Sequence, residues 1–510
     1  MSDFLERHTA RIAGVVSCYD RIVIMGTIPG ICYADGMTSY LYRENIRIFD
    51  YPKWAEPFNR EIRENAERIA EEEGIGIQFI RKLKSFRKED RIAEIIRERG
   101  DHPGLVHIFS AMERCSTYKP WHNKKTGRTY LRGDSGKCLH YYFYFVHPDL
   151  GLCYLRVPTW APFRLQAYCN GHNLLAAGLR GKGIDFTQID NVLIDVGDAA
   201  TAQQIADDIS PRRLHRIFDE AVRRYCPVIR HFAQGYHWSI MQAEYATDII
   251  FKRREDLAPI YEEIVRTAVH AVKPEQVAMF LGKKLHPLSQ AELGSRFSTR
   301  IEGRSIKHYM GTNAVKAYDK IGLVLRIETL TNDVSFFKHY RKVEHRDGTS
   351  EMKHAPLRKS IYSLTPLRDL LGASNRRYLD FISAIDDPTG GIRDVDKMSR
   401  PVRHNDRSYR GFNLFHGVDI DLFVTIMRGE FNIHGFRHKD VSNRLRSKSS
   451  WQVSHLLKRL RVHGIIKKVR NTYKYYLTAF GKRIVATALK LKEMFVIPFL
   501  RGLIASPATP

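Results

Sequence analysis

The chain has 510 residues, of which 43% are hydrophobic and 11% aromatic, so it is too long for one core and well supplied to pack several. A formal net charge of +26 favours a polyanionic partner. No apolar run reaches the ~18 residues of a membrane span, and the N-terminal "MSDFLERHTARIAG" lacks the apolar core of a secretory signal, so a cytoplasmic, nucleoid-associated protein without membrane contact is expected. None of the seven cysteines forms a CxxC pair, and their number is odd, which predicts free buried thiols.

"GVVSCYDRIVIMGTI" (14–28) reads as a strand and carries Asp20. "WAEPFNREIRENAERIAEEEG" (54–74) is an amphipathic helix stopped by Gly74. "GIQFI" (76–80) is a strand, "KEDRIAEIIRERG" (88–100) a helix with a glycine stop, and "GLVHIFSAM" (104–112) a strand again. Such alternation is α/β or α+β order. The basic stretch "KPWHNKKTGRTYLRGDSGK" (119–137) reads as a loop able to touch phosphate, or as a surface β-excursion. "CLHYYFYFVHPDLGLCYLRVPTW" (138–160) is a hairpin turning at "HPDLG". Its face of His140, Tyr142 and Tyr144, with Tyr154 and Arg156 across the turn, suits stacking of single-stranded DNA or RNA bases. The plain alternative is an aromatic core strand.

"NVLIDVGDAATAQQIADDI" (191–209) predicts a strand running into a helix, and "PRRLHRIFDEAVRRY" (211–225) a basic helix. "YHWSIMQAEYATDIIF" (236–251) reads as a helix with Glu244 and Asp248 on one face, four apart among apolar and aromatic residues. Two buried carboxylates side by side require a cation or an arginine. "SIKHYMGTNAVKAYDKIGLVLRIETLTN" (305–332) reads as two strands around a tight turn. Lys316, Tyr318 and Lys320 share a face of the first strand; Val324, Arg326 and Glu328 share a face of the second. The phrase "YDK" followed by "LRIE" is similar to a strand pair in tyrosine-type rolling-circle replication initiators of plasmids and filamentous phages. That resemblance implies Glu328 as ligand of a divalent Mg²⁺ or Mn²⁺ and Tyr318 as the nucleophile that attacks a DNA phosphate. Glu244, Asp248 and Asp20 complete the candidate ligand set. A rival chemistry places Asp20, Asp195 and Glu244 on a ribonuclease-H-like transposase core, where metals activate water. The sequence holds no P-loop and no HExxH motif.

Beyond a Gly/Pro/Arg/Asp-rich linker, "DIDLFVTIMRG" (419–429) is a helix ending at Gly429, and "RHKDVSNRLRS" (437–447) a second. Ser449 or Ser450 caps a third, in which Val453, Leu456, Leu457 and Leu460 form one apolar stripe. Its other face carries Ser454, His455, Lys458, Arg459 and Arg461, and Gly464 stops it. "IIKKVR" and "YKYYL", joined through Asn471 and Thr472, predict a hairpin bearing Lys467, Lys468, Arg470 and Lys474. A last helix, "AFGKRIVATALKLKEMF", follows. From Phe431 to Pro510 there are 17 Lys and Arg against 2 Asp and Glu, which is +15 of the total charge. This order of elements, with "LLKRLRVHGIIKKV", "YYLT" and "GK", resembles the winged helix-turn-helix modules of bacterial regulators, including the multiple-antibiotic-resistance type. The resemblance implies duplex DNA as partner, the third helix in the major groove, a wing on the backbone or minor groove, and self-association. The whole chain also resembles an uncharacterised group of long bacterial proteins scattered in many copies, which points to a mobile element.

The expected organisation is an α+β or α/β multidomain body with a C-terminal winged helix-turn-helix domain. Its parts are an N-terminal α/β domain (1–135), a central α+β domain (136–386), a linker (387–418) and the winged helix (419–500). The expected function is DNA binding in a mobile or replicative element, with metal-dependent nicking or strand transfer. A transcription regulator with a sensing body and an RNA-binding protein are the alternatives.

Overall fold

The computed structural model describes residues 2–81, 86–283, 293–300, 303–345, 347–383, 396–413, 416–428, 430–431, 435–469 and 472–492. Gly429, Arg470 and Asn471, the linker stretch 387–395 and everything after 492 lie outside the described residues.

The strands in chain order begin with β1 (Ile12–Thr27), β2 (Ile77–Phe79), β3 (Gly104–His122), β4 (Thr129–His147), β5 (Gly151–Pro158) and β6 (Leu165–Cys169). A separate hairpin, β7 (Phe186–Ile189) with β8 (Val192–Val196), precedes β9 (His237–Phe251). Then come β10 (Leu293–Arg300), β11 (Gly303–Met310), β12 (Asn313–Lys320) and β13 (Val324–Thr331). Eleven of them form one sheet in the order β10-β11-β12-β13-β9-β1-β6-β5-β4-β3-β2. The β2–β3 pair is parallel, while β3–β4, β4–β5, β5–β6 and β1–β6 are antiparallel, so the sheet is mixed and the class is α+β.

Two compact units make up the chain. The first gathers residues 16–246 and 330–370. Its helices are α1 (Ala34–Arg43), α2 (Tyr51–Glu72), α3 (Lys88–Arg99), α4 (Gly171–Gly181), α5 (Ala199–Asp207) and α6 (Pro211–Tyr225). Ile92 of α3 joins Ile80, Val106, Phe109, Tyr142, Tyr144 and Val146 in one apolar cluster on the β3–β4 face. The second unit gathers residues 1–15, 247–329 and 371–510. One of its cores packs Phe4 with α7 (Arg254–Ala271) and with Ile249, Ile306, Val315, Leu325 and Ile327 of the sheet.

Its other core is formed by the C-terminal elements: α8 (Gly417–Ile426), the short α9 (His438–Ser442), α10 (Ser450–Val462), the hairpin β14 (Ile466–Lys468) with β15 (Tyr475–Leu477), and α11 (Ala479–Leu491). Ser449 caps α10 as its spacing predicts, accepting from Gln452 N at 3.3 Å while Gln452 Oε1 accepts from Ser449 N at 2.8 Å. Val453, Leu456, Leu457 and Leu460 all point into that core, and Gly464 ends the helix at φ +72°.

Three local expectations are corrected. The stretch 236–251 forms strand β9 from His237 onward and not a helix. The run of Trp238, Ile240, Tyr245, Thr247, Ile249 and Ile250 is β-branched and aromatic, which favours the pleated surface. A spacing of four keeps two residues on one face in a strand as well as in a helix, so the spacing could not discriminate. Residues 119–137 are not a loop: β3 and β4 stay paired to His122↔Thr129, and only 123–128 turn. A domain boundary at 135 would therefore fall inside β4.

Candidate metal centre and nucleic-acid interface

Asp20 on β1, Glu244 on β9 and Glu328 on β13 stand on strands that follow one another in the sheet. One carboxylate oxygen from each lies within 4.8 Å of the others, and Glu328 and Asp20 are buried while Glu244 is half-buried. Ionised carboxylates that close, out of water, repel strongly unless cations join them. The donor set is three carboxylates, the hard oxygen chemistry that suits Mg²⁺ or Mn²⁺. The trio can therefore hold a divalent ion.

Each member has protein partners. Asn191 Nδ2 donates to Asp20 Oδ1 at 2.6 Å, and His172 Nδ1 lies 3.1 Å from the same oxygen. His172 reaches it because α4 begins hard against β1: a Cβ on Gly171 would stand 2.1 Å from the Tyr19 carbonyl oxygen. Gln242 Nε2 donates to Glu244 Oε1 at 2.8 Å. Lys316 Nζ donates to Glu328 Oε1 at 2.8 Å, and Tyr318 Oη donates to Glu328 Oε2 at 2.5 Å. Lys316 and Tyr318 are two apart on β12, so the pleat turns both toward the same carboxylate on β13. Glu328 is 1% exposed, whereas Tyr318 and Glu244 are half-buried.

Asp248 stands apart from this trio. Arg326 grips it with both arms, Nε to Oδ1 and Nη2 to Oδ2, each at 2.6 Å, with both side chains buried. The fork geometry satisfies the carboxylate without a metal, so the ligand role assigned to Asp248 from spacing is corrected to a structural pair. Asp195 is exposed on β8, in the separate hairpin, and is not among the clustered acids.

The aromatic hairpin face is present in the expected register, with Tyr142 opposite Arg156 and Tyr144 opposite Tyr154. It is not an open platform. Tyr142 and Tyr144 are buried in the cluster that includes Ile92, with Tyr154 packed against it, and Lys88 Nζ sits 3.8 Å above the Tyr142 ring. Glu113 accepts from Tyr142 Oη at 2.5 Å and from Arg156 Nη2 at 2.5 Å. Burial alone would raise the Glu113 pKa, but the Tyr142 hydroxyl and the Arg156 charge more than offset it and hold the carboxyl low. Tyr154 packs on both Tyr142 and Tyr144, and Arg156 lies over Tyr142, so the stacking role of these four residues is corrected to core packing.

On α10, Ser454, His455 and Arg461 are exposed and Lys458 is half-buried. Lys467 and Lys468 on β14 are exposed, and Lys474 is half-buried. Arg459 departs from this group. It is 2% exposed, donates to both oxygens of Asp419 at 2.7 and 3.0 Å, and reaches the carbonyls of Arg410 and Gly411. The spacing that placed Arg459 on the outer face overlooked the Asp419 partner 40 residues earlier. Trp451, 74% exposed and stacked on His455, and Tyr473, 82% exposed, extend the same surface and were not read from the sequence.

Among the described residues, no helix is long and apolar enough to cross a membrane. The seven cysteines are free thiols, six of them buried. Compared with known protein families, with curated proteins and with solved structures, the chain matches none.

Proposed function

We propose that this protein binds DNA through its C-terminal elements and cuts or transfers a DNA strand with a divalent metal held by Asp20, Glu244 and Glu328. The carrying observation is the trio itself, with the Tyr318 phenol bonded to Glu328 Oε2 at 2.5 Å. A nucleophile and a base within hydrogen-bond reach are what phosphoryl transfer to a side chain requires. A metal there would offset the carboxylate repulsion and stabilise negative charge on a phosphate. Lys316 orients Glu328. Tyr318 passes its proton to Glu328 as its oxygen bonds to phosphorus; the displaced deoxyribose oxygen leaves and takes a proton from solvent.

The tail supplies the hold on duplex DNA. Three helices, a two-stranded hairpin and a closing helix around one apolar core are the parts of a winged helix. In that reading α10 enters the major groove and Lys467, Lys468 and Lys474 lie along the backbone.

A nicking assay on supercoiled and single-stranded DNA with Mg²⁺ or Mn²⁺ tests the chemistry. Wild type should nick, and Glu328→Gln should be inactive. Loss in Glu328→Gln with activity kept in Tyr318→Phe would replace the tyrosine nucleophile by water, the alternative chemistry of a transposase. Binding has its own readout: at [Mn²⁺] near 100 times Kd the fold should gain about 2.7 kcal/mol, seen as a thermal shift. A shift of the same size in Glu328→Gln would sink the metal assignment.

A further inference from the structure

Outside the tail, one paired ribbon is strongly basic. From Lys119 to Gly133 the paired strands β3 and β4 and their turn carry five Lys or Arg and no acid. Lys119 is met by Asp134 at 3.6 Å, while Lys124, Lys125 and Arg128 lie beyond that pair toward the turn. On the basic helix α6, three of the five arginines are met by acids, Arg213 by Asp149 at 2.5 Å, Arg216 by Glu220 and Arg224 by Glu73.

The arm is built, not loose. Its turn is closed by Asn123, whose N donates to the Arg128 carbonyl at 2.9 Å and whose Oδ1 accepts from Lys125 N at 3.0 Å. Gly127 takes φ +66°, a backbone that side chains rarely adopt. One face of the ribbon is braced. Leu131 is buried and its N donates to Thr38 Oγ1 of α1 at 2.9 Å. Tyr42 Oη of α1 reaches the Thr129 carbonyl at 2.7 Å, and Tyr118 Oη reaches the Ile31 carbonyl at 2.7 Å. Alternation turns Lys119, Trp121, Tyr130 and Arg132 to the other face. There the Arg132 guanidinium lies 4.4 Å from the Trp121 ring centre, while Lys124, Lys125 and Arg128 are exposed at the tip.

We propose that the β3–β4 arm is a second DNA contact, a β-ribbon that enters the major groove of a duplex with Lys124, Lys125 and Arg128 against the phosphates and Arg132 toward the groove floor. The major groove admits a two-stranded ribbon. The bracing by α1 and the ring under Arg132 restrain the ribbon before it binds, which reduces the ordering cost of association. Single-stranded nucleic acid is the poorer fit. It needs open ring faces, and the rings here carry a guanidinium over Trp121 and leave Tyr130 half-buried. This contact does not depend on the C-terminal reading.

The test uses the full chain and a duplex of about 30 base pairs, long enough for a ribbon or a helix to engage a full groove. Affinity is measured from ~50 to ~300 mM salt for wild type, for Lys124→Gln/Lys125→Gln/Arg128→Gln, for Lys467→Gln/Lys468→Gln in the tail, and for the combination. Each phosphate contact contributes a slope of about −0.9 in log K against log salt. The tip variant should lower that slope by about 2 to 3 and weaken binding at least about tenfold at low salt. Its thermal midpoint should stay put, because the altered side chains are exposed. An unchanged slope overturns the proposal. So does a tip variant that loses single-stranded DNA or RNA while keeping the duplex. A tail variant that binds like wild type would count against the C-terminal reading and leave the arm standing.

Discussion

Replacing Arg459 separates the two roles that helix α10 can give an arginine. In the fold its guanidinium is buried, bonded twice to Asp419, twice to backbone carbonyls, and 3.8 Å from the Phe412 ring centre. Arg459→Ala would leave Asp419, 1% exposed, as a buried carboxylate without a counter-charge, keeping the Asn413 N–H at 3.0 Å. Breaking a buried pair from one side costs about 3–5 kcal/mol. At about 1.4 kcal/mol per factor of ten, that is a loss of roughly 100- to 5,000-fold in the equilibrium that keeps the local structure closed. A chain of this size does not unfold in two states, so the loss is best read locally. Hydrogen exchange of peptides covering 450–462 should lose protection by that factor, while peptides from β4 and β5 keep theirs. Removing both charges with Arg459→Met/Asp419→Leu should recover more than half of it, because no charge is then left buried. Arg461→Ala, at an exposed position, should leave protection unchanged and weaken duplex binding. If Arg459→Ala keeps its protection and loses only DNA affinity, the buried pair is not what holds α10, and Arg459 is a DNA-reading residue after all.

Three other outcomes follow from the geometry. Asp248→Asn should lower the thermal midpoint because it unbalances Arg326, yet leave Mn²⁺ affinity within a few-fold; a loss as large as that of Glu328→Gln, measured by calorimetric titration, would return Asp248 to the ligand set. Gly171→Ala drives a Cβ into the Tyr19 carbonyl, so α4 must shift at a cost of about 1–3 kcal/mol and draw His172 away from Asp20. Both the thermal midpoint and Mn²⁺ affinity should fall, and retention of both would show that the contact is relieved elsewhere. Burial, and then the Arg156 charge, push His140 down to about 4. Between its ordinary value and about 4 the unfolded chain takes up a proton that the folded imidazole refuses, so stability falls as pH drops through that window, by at most about 1.4 kcal/mol per pH unit. His140→Asn should flatten the pH dependence of the thermal midpoint between about pH 6.5 and 4.5, and an unchanged dependence would refute the buried neutral histidine.

Much of the C-terminal region was legible because its signals are local. The Ser449 cap, the stripe of Val453, Leu456, Leu457 and Leu460, and the Gly464 stop each act within one or two helical turns. The β12–β13 pair was legible for the same reason, although 305–332 holds parts of three strands, β11, β12 and β13, and not the two expected: a tight turn joins β12 to β13 and puts Lys316, Tyr318 and Glu328 together. The β4–β5 hairpin likewise followed from period two and its turn residues.

What the sequence could not determine was which side chains meet across long separations. Asp20, Glu244 and Glu328 come together only because β1, β9 and β13 follow one another in the sheet, an order that no local pattern encodes. The choice of Arg326 for Asp248, and of Asp419 for Arg459, is decided by burial: a charge taken out of water must find its partner, wherever in the chain that partner lies. Tyr142 and Tyr144 looked like an open face until the helix bearing Ile92 covered them, and the arm from 119 to 133 looked like a loop until its strands paired. Periodicity sets which face of an element a residue occupies; only the packing of one element on another sets whether that face meets water, a core or a ligand.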